Sequence, residues 1–278
     1  MSDVRAEQQA GVDALRQTAR IVRRRLLGRI SALHSLGGFI VFTFIQLRYP
    51  ASRALDTPWV NDLLLVLLTQ ALLAPVVWGW VAREFRASAG WALDGSRPTT
   101  LERERILDEP FRMAARPFLL WIAAAAIIGA GIEARRVFGV DAIVDIAQIL
   151  AMGGLATCAI SYLVIERTYR PLFAVALTHA ELPRARSLGV RARLLLAWAA
   201  SSGVPLLGLT LTPFRETATS NEALFALGLI GILAGLFAVT IAADGIAVRL
   251  DAIRTALGRV GGGDIGQDLV VDDGGEVG

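Results

Sequence analysis

Residues 223–260 read ALFALGLIGILAGLFAVTIAADGIAVRLDAIRTALGRV, and two patterns meet in that run without a break. Up to 248 the stretch is apolar, with Asp244 as its lone carboxylate. About 20 apolar residues in an α-helix cross the roughly 30 Å of hydrocarbon in a bilayer, so 223–248 is expected to span one. From Ile246 the apolar residues fall at Ile246, Leu250, Ile253, Leu257 and Val260, spaced 4, 3, 4, 3. That is a heptad seam, flanked by Arg249, Asp251, Arg254 and Arg259. The same helix is therefore expected to leave the membrane and continue as a paired stalk. Gly261, Gly262 and Gly263 then end it.

Five further apolar blocks precede this one, at 30–47, 61–82, 117–132, 142–165 and 194–211. The chain is 54% hydrophobic and only 19% charged, which leaves too little polar sequence to cover a soluble core of that size. The expected fold is an all-α membrane protein with six transmembrane helices. Every basic side chain except the two histidines is Arg, and their distribution sets the orientation. The arm before residue 30, the connections 83–116 and 167–193, and the tail after 248 together hold 23 of the 28; the alternate connections hold only Arg48, Arg53, Arg135, Arg136 and Arg215. Arg-rich short loops stay inside the cell, so both termini are expected to be cytoplasmic in a multi-pass cell-membrane protein. The pI near 9.7 is read as retained loops beside an anionic leaflet, with no nucleic acid as partner.

Three regions follow: a basic arm at 1–28, the six-helix membrane domain at 29–245, and a stalk region at 246–278. The arm carries Val12, Leu15, Ile21 or Val22, and Leu26 on one helical stripe with Arg between. It fits either a surface-lying amphipathic helix or a solvated helix leading into the first span. The three outer connections are too short to hold a folded ligand-binding domain. The two longer inner ones share a pattern of helix, Pro-containing turn and Arg-to-Trp re-entry, which reads as a weak repeat of helical hairpins or as ordinary interface chemistry.

Few polar residues interrupt the spans. His34, Gln70, Gln148, Ser201, Ser202 and Asp244 lie in or near them, but no span has a carboxylate at its centre. That disfavours a transporter-type ion site at the midplane. Ser202, Gly203, Val204 and Pro205 should kink the fifth span, because Pro cannot donate the helix hydrogen bond. Gly231 and Gly235 make a small-xxx-small step that suits packing within the chain or between two sixth helices. Cys158, the single cysteine, reads as a buried core residue. No phosphate loop, metal-ligand cluster or nucleophile elbow occurs, so no catalytic residue, metal or cofactor is assigned to this chain.

Beyond the stalk, Gly263-Asp264-Ile265 forms a turn, DIGQDLVV an extended connector, and Glu276-Val277-Gly278 an acidic step. This order resembles the HAMP domain of bacterial transmembrane signalling proteins, from its first helix through its connector to the first turn of its second helix. Arg249 stands where many members have Pro, and Gly275 where the residue before the Glu is often acidic. Six spans with a HAMP are similar to the membrane module of actinobacterial, mycobacterial-type class III adenylate cyclases. The similarity rests on Arg170-Pro171, Ala176-Leu177, Trp198, Ser202-Gly203-Val204-Pro205, the Trp91 to Thr99 piece and the LVVDDGGEVG ending.

The resemblance implies a homodimer through the sixth helix and HAMP, a lipid or hydrophobic ligand, and the input half of a larger protein cut within HAMP. The parent would be a phosphorus–oxygen lyase making cAMP from ATP with Mg²⁺ or Mn²⁺. The alternatives are the input module of another HAMP-linked effector such as a histidine kinase, a free-standing transporter, or an anchor and dimeriser without a ligand.

Overall fold

The computed structural model describes residues 2–48, 59–134, 140–177, 190–211 and 221–261, and every described element is helical. In hydrocarbon no water satisfies backbone N–H and C=O groups, so segments this apolar must satisfy them internally. In chain order the elements are α1 (Ser2–Arg48), α2 (Trp59–Asp94), α3 (Thr100–Ala115), α4 (Pro117–Ala134) and α5 (Val140–Leu177). Then come α6 (Val190–Trp198), a π-helical turn (Ala199–Gly203), α7 (Val204–Leu211) and α8 (Asn221–Gly261). Five stretches are long and apolar enough to cross a membrane: Arg5–Arg48, Val60–Asp94, Thr100–Gly131, Ile143–Leu177 and Asn221–Asp244.

The expected fifth span, 194–211, differs: it is divided among α6, the π turn and α7. The backbone N–H of Val204 reaches back five residues to Ala199 O. Pro205 follows, with no N–H to offer Ser201, so the ordinary ladder is already interrupted there. The disturbance expected at 202–205 thus begins about a turn earlier, as a π turn.

In the structure the arm is not a separate element. Residue 28 falls inside α1, which runs unbroken from Ser2 into the first span. Its stripe of Ala19, Val22, Leu26 and Ile30 is buried, with Leu15 packed against it, while Ile21 faces outward. The arm therefore packs against protein instead of lying apart.

Two cores result. One joins this stripe to the ends of α2 and α5 and to α3, around the fully buried Phe85, Ile106, Met113, Tyr169 and Leu172. The other lies within the spans, around Val41, Trp121, Ile146 and Cys158. Elsewhere the apolar blocks face outward, as Leu68, Leu72, Leu119, Ile232 and Leu236 do, which suits lipid contact.

The end of α2 turns sharply. Ala89 leaves helical geometry (φ −127, ψ 17), and the Trp91 indole N–H donates to Ser88 O. Gly95 then takes φ 73, where a Cβ would sit 2.5 Å from a Val12 methyl and 3.0 Å from Arg16 Nε. Arg16 also donates to Asp94 O at 3.0 Å, so the Trp91 to Thr99 motif is where the arm locks to α2. Thr99 and Glu102 form a reciprocal capping box that starts α3.

In the spans, α1 and α5 meet where Gly153 faces Val41; a Cβ on Gly153 would approach Val41 Cγ2 to 2.2 Å. Gly153→Ala should destabilise the protein by about 1–3 kcal/mol, the usual cost of overpacking. Thermal unfolding in detergent micelles checks this, with Gly79→Ala, which meets nothing within 4 Å, as the neutral control.

Candidate functional site

Two sites stand out, one among the spans and one in the arginine-rich layer beside them. The first is a cavity of about 230 Å³ between α1, α2 and α4, floored by Ile146 and Leu150 of α5. Phe42, Leu65, Leu73 and Leu120 give it apolar walls. Polar groups lie at its two ends and also between them, where Ser35, Thr69 and Gln70 line the wall. At the arginine-rich end, Trp78 Nε1 donates to Ser31 Oγ at 2.8 Å, and Trp121 Nε1 donates to His34 Nδ1 at 3.0 Å. At the far end Gln46 Nε2 donates to Asp62 Oδ2 at 3.3 Å. His34 Nε2 is buried and meets no hydrogen-bond partner in the protein.

The second site is built by α3. Its sequence is charged enough to look solvated, but Glu109 is fully buried, among Ile106, Leu107, Pro110 and Met113. Neither Glu109 carboxylate oxygen has a hydrogen-bond partner. On α2, Glu84 accepts a short hydrogen bond from Arg116, and Arg105 lies 3.7 Å from its other oxygen. Arg116 also covers the Trp80 ring, 5.9 Å from its centroid. On α5, the Tyr169 hydroxyl lies 3.5 Å from Ser88 Oγ and 3.7 Å from Met113 Sδ.

These charged residues lie beyond the apolar blocks 61–82, 117–132 and 142–165 of the sequence. Burial, aided by the charge of Glu84, pushes the Glu109 carboxyl up to about 7, while Arg105, Arg112 and Arg116 pull the other way. Among the described residues no group of His, Cys, Asp and Glu is arranged to hold a metal ion.

The residues singled out in the sequence are distributed over several elements. Arg170 and Pro171 lie inside α5, Arg170 half-buried and Pro171 exposed. Trp198 ends α6, largely exposed, and its ring edge would lie 3.6 Å from a Cβ on Gly203. Ser202, Gly203, Val204 and Pro205 run from the π turn into α7, in a segment packed on α8 and α5. Ile246, Leu250, Ile253, Leu257 and Val260 all fall on helical backbone in α8, with Asp251 and Arg254 exposed between them. Gly263, Asp264, Ile265, Glu276, Val277 and Gly278 lie outside the described residues. Asp244 pairs with Arg167 at 3.1 Å, tying α8 to α5. Glu84 and Glu109 carried no sequence signal, because a charged helix with few apolar positions reads as exposed.

These features define a helical protein with apolar helices long enough to cross a membrane and a packed layer of charged residues at their ends. Its sequence is 29% identical over 268 residues to an uncharacterized protein of Mycobacterium tuberculosis, a match covering 92% of this chain and 49% of the relative. An uncharacterized protein of Mycobacterium bovis matches to the same extent. A second uncharacterized protein of Mycobacterium tuberculosis is 33% identical over 209 residues, 72% of this chain and 36% of the relative. The chain thus spans about half the length, or less, of the curated relatives it matches. No family model matches, and no solved structure matches.

The raised Glu109 pKa has a consequence with a definite sign. Between the ordinary carboxylate range and about pH 7 the folded protein keeps a proton that the unfolded chain has released. This contribution to stability is full below that range and lost as pH climbs through 7. Thermal unfolding in detergent should therefore show the melting temperature falling from pH 5 to pH 8, with a flatter profile for Glu109→Gln.

Proposed function

We propose that this chain is the membrane-anchoring, dimerising and signal-transducing module of a class III adenylate cyclase, whose parent makes cAMP from ATP with Mg²⁺ or Mn²⁺. The observation that carries the reading is α8. It runs 41 residues as one helix, about twice what a bilayer requires, and its extension bears the heptad seam. The cyclase-like motifs around residues 91–99, 170–171 and 198–205 support it. So does the presence, in the matched relatives, of about as much chain again outside the match.

In this reading 190–211 crosses the membrane as one interrupted path. Its 22 residues would cover about 33 Å at an ordinary helical rise. Six crossings then return both arginine-rich termini to the cytoplasm. A lipid or hydrophobic ligand that favours one packing of the spans shifts the populations by its difference in affinity for the two. The paired α8 stalk carries that shift through HAMP to the cyclase domain.

The test is cAMP formation by the complete gene product in isolated membranes. Wild type should convert ATP to cAMP with Mn²⁺, and Leu257→Asp should weaken cross-linked dimer and reduce regulated activity at least severalfold. An inactive gene product sinks the cyclase assignment. Unchanged dimerisation and regulation in Leu257→Asp would remove the stalk from the mechanism.

A further inference from the structure

Glu109 has no accessible surface where α3 packs on α2 and α5, and neither of its carboxylate oxygens meets a hydrogen-bond partner among the described residues. Burying an ionised carboxylate without a partner costs far more than burying a neutral carboxyl. The seat that Glu109 occupies therefore suits its protonated form.

The charged groups around it supply a second position. Glu84 faces it from α2, Arg105 and Arg112 stand about one turn to either side on α3, and Arg116 stands at the joint with α4. Tyr169, fully buried, faces it from α5. The one charged residue of α4, Glu133, is at the far end of that helix. Arg105 and Arg116 are engaged with Glu84, while Arg112 is exposed. Side chains three or four residues apart are neighbours on a helix surface. A small roll of α3 out of its seat thus carries an ionised Glu109 to Arg112 and toward the arginines that Glu84 holds.

The chain around α3 permits such a roll. Before α3 lie the Gly95 turn and the non-helical residues 96–99. After it, Arg116 alone separates α3 from α4, and Pro117 has no N–H to offer Met113 O. Within it, Pro110 leaves Ile106 O without its ladder partner.

We propose that Glu109 is a proton-binding site and that α3 is a clasp worked by that proton. With the proton bound, Glu109 stays seated and α3 lies closed on α2 and α5. When the proton leaves to solvent, the carboxylate moves out toward Arg112, and α3 lifts and opens Met113 to water. Burial and the charge of Glu84 hold the carboxyl up to about 7 against the three arginines, so the change falls near neutral pH. The turn before α3 is pinned to α1 through Arg16, and α3 runs into α4 through Arg116, so its movement reaches two of the helices that wall the cavity. The clasp belongs to this chain alone and does not depend on the cyclase reading.

The test reads Met113, a fully buried thioether one turn beyond Glu109 on α3. The 278-residue chain in phosphatidylcholine nanodiscs is treated with dilute hydrogen peroxide from pH 5.5 to pH 8.5, and methionine sulfoxide is followed by peptide mass spectrometry. A thioether does not titrate in this range, so its rate reports access. Met113 should oxidise at least about tenfold faster at pH 8.5 than at pH 5.5, with a midpoint near 7. Met152, in the membrane part of α5, should show no such step.

Glu109→Gln should leave Met113 slow at both ends of the range. Two charge variants should move the midpoint in opposite directions. Glu84→Gln removes a like charge and frees Arg105 and Arg116, so it lowers the midpoint; Arg112→Gln removes an attracting charge and raises it. If Glu109→Gln does not fold by circular dichroism, the exposed Arg112→Gln carries the test. A Met113 rate that ignores pH overturns the proposal, as does an equal rise in Glu109→Gln. A parallel rise at Met152 would report general loosening and overturn it too. An unmoved midpoint in Arg112→Gln removes the hand-over to Arg112 and the clasp with it.

Discussion

The contact between α1 and α5 organises the molecule, because it is held at both ends and close in the middle. At one end Arg48, its side chain buried, lies 3.6 Å from Asp145. In the middle Val41 lies over Gly153, where no side chain intervenes. At the other end Arg29 donates to Thr168 at 2.8 Å. Without a hydrophobic driving force between helices in lipid, close packing and a few polar contacts must supply the specificity, and this seam has both. The two helices continue together into the arginine-rich layer, where their apolar stripes close over Phe85 and Tyr169.

Everything distinctive is referred to that seam. The cavity exists because α2 and α4 stand against the α1–α5 pair with α5 as its floor. Glu84 and Glu109 are enclosed because α3 folds back across the ends of α2 and α5, started by the Thr99 capping box and placed by the Gly95 turn. That turn is itself pinned to α1 through Val12 and Arg16. The basic arm is thus a structural strut for the layer as well as a carrier of positive charge.

Much of this was legible in the sequence. Long apolar blocks gave the helical membrane class, and the spacing of Leu15, Val22 and Leu26 marked the buried face of the arm. The heptad spacing after Ile246 anticipated a helix that continues past its apolar stretch, as α8 does. Other features depend on partners distant along the chain. The value of His34 comes from Trp121, 87 residues away, so its position near an interface gave no hint of an unpaired donor. Glu109 is hidden by residues of other helices that no local pattern names. The division of 194–211 reflects a π turn, a change of one residue in the ladder, to which hydropathy is blind.

The unbroken length of α8 makes it a lever. A straight helix of 41 residues is about 60 Å long, so a tilt of about 5° at the Asn221 end carries the Gly261 end sideways by about 5 Å. Such a tilt is small enough to arise from repacking a few side chains beside the π turn, against which α8 is seated. The far end magnifies it to the width of a side chain, and in the proposed dimer that would change which residues of the two stalks face each other.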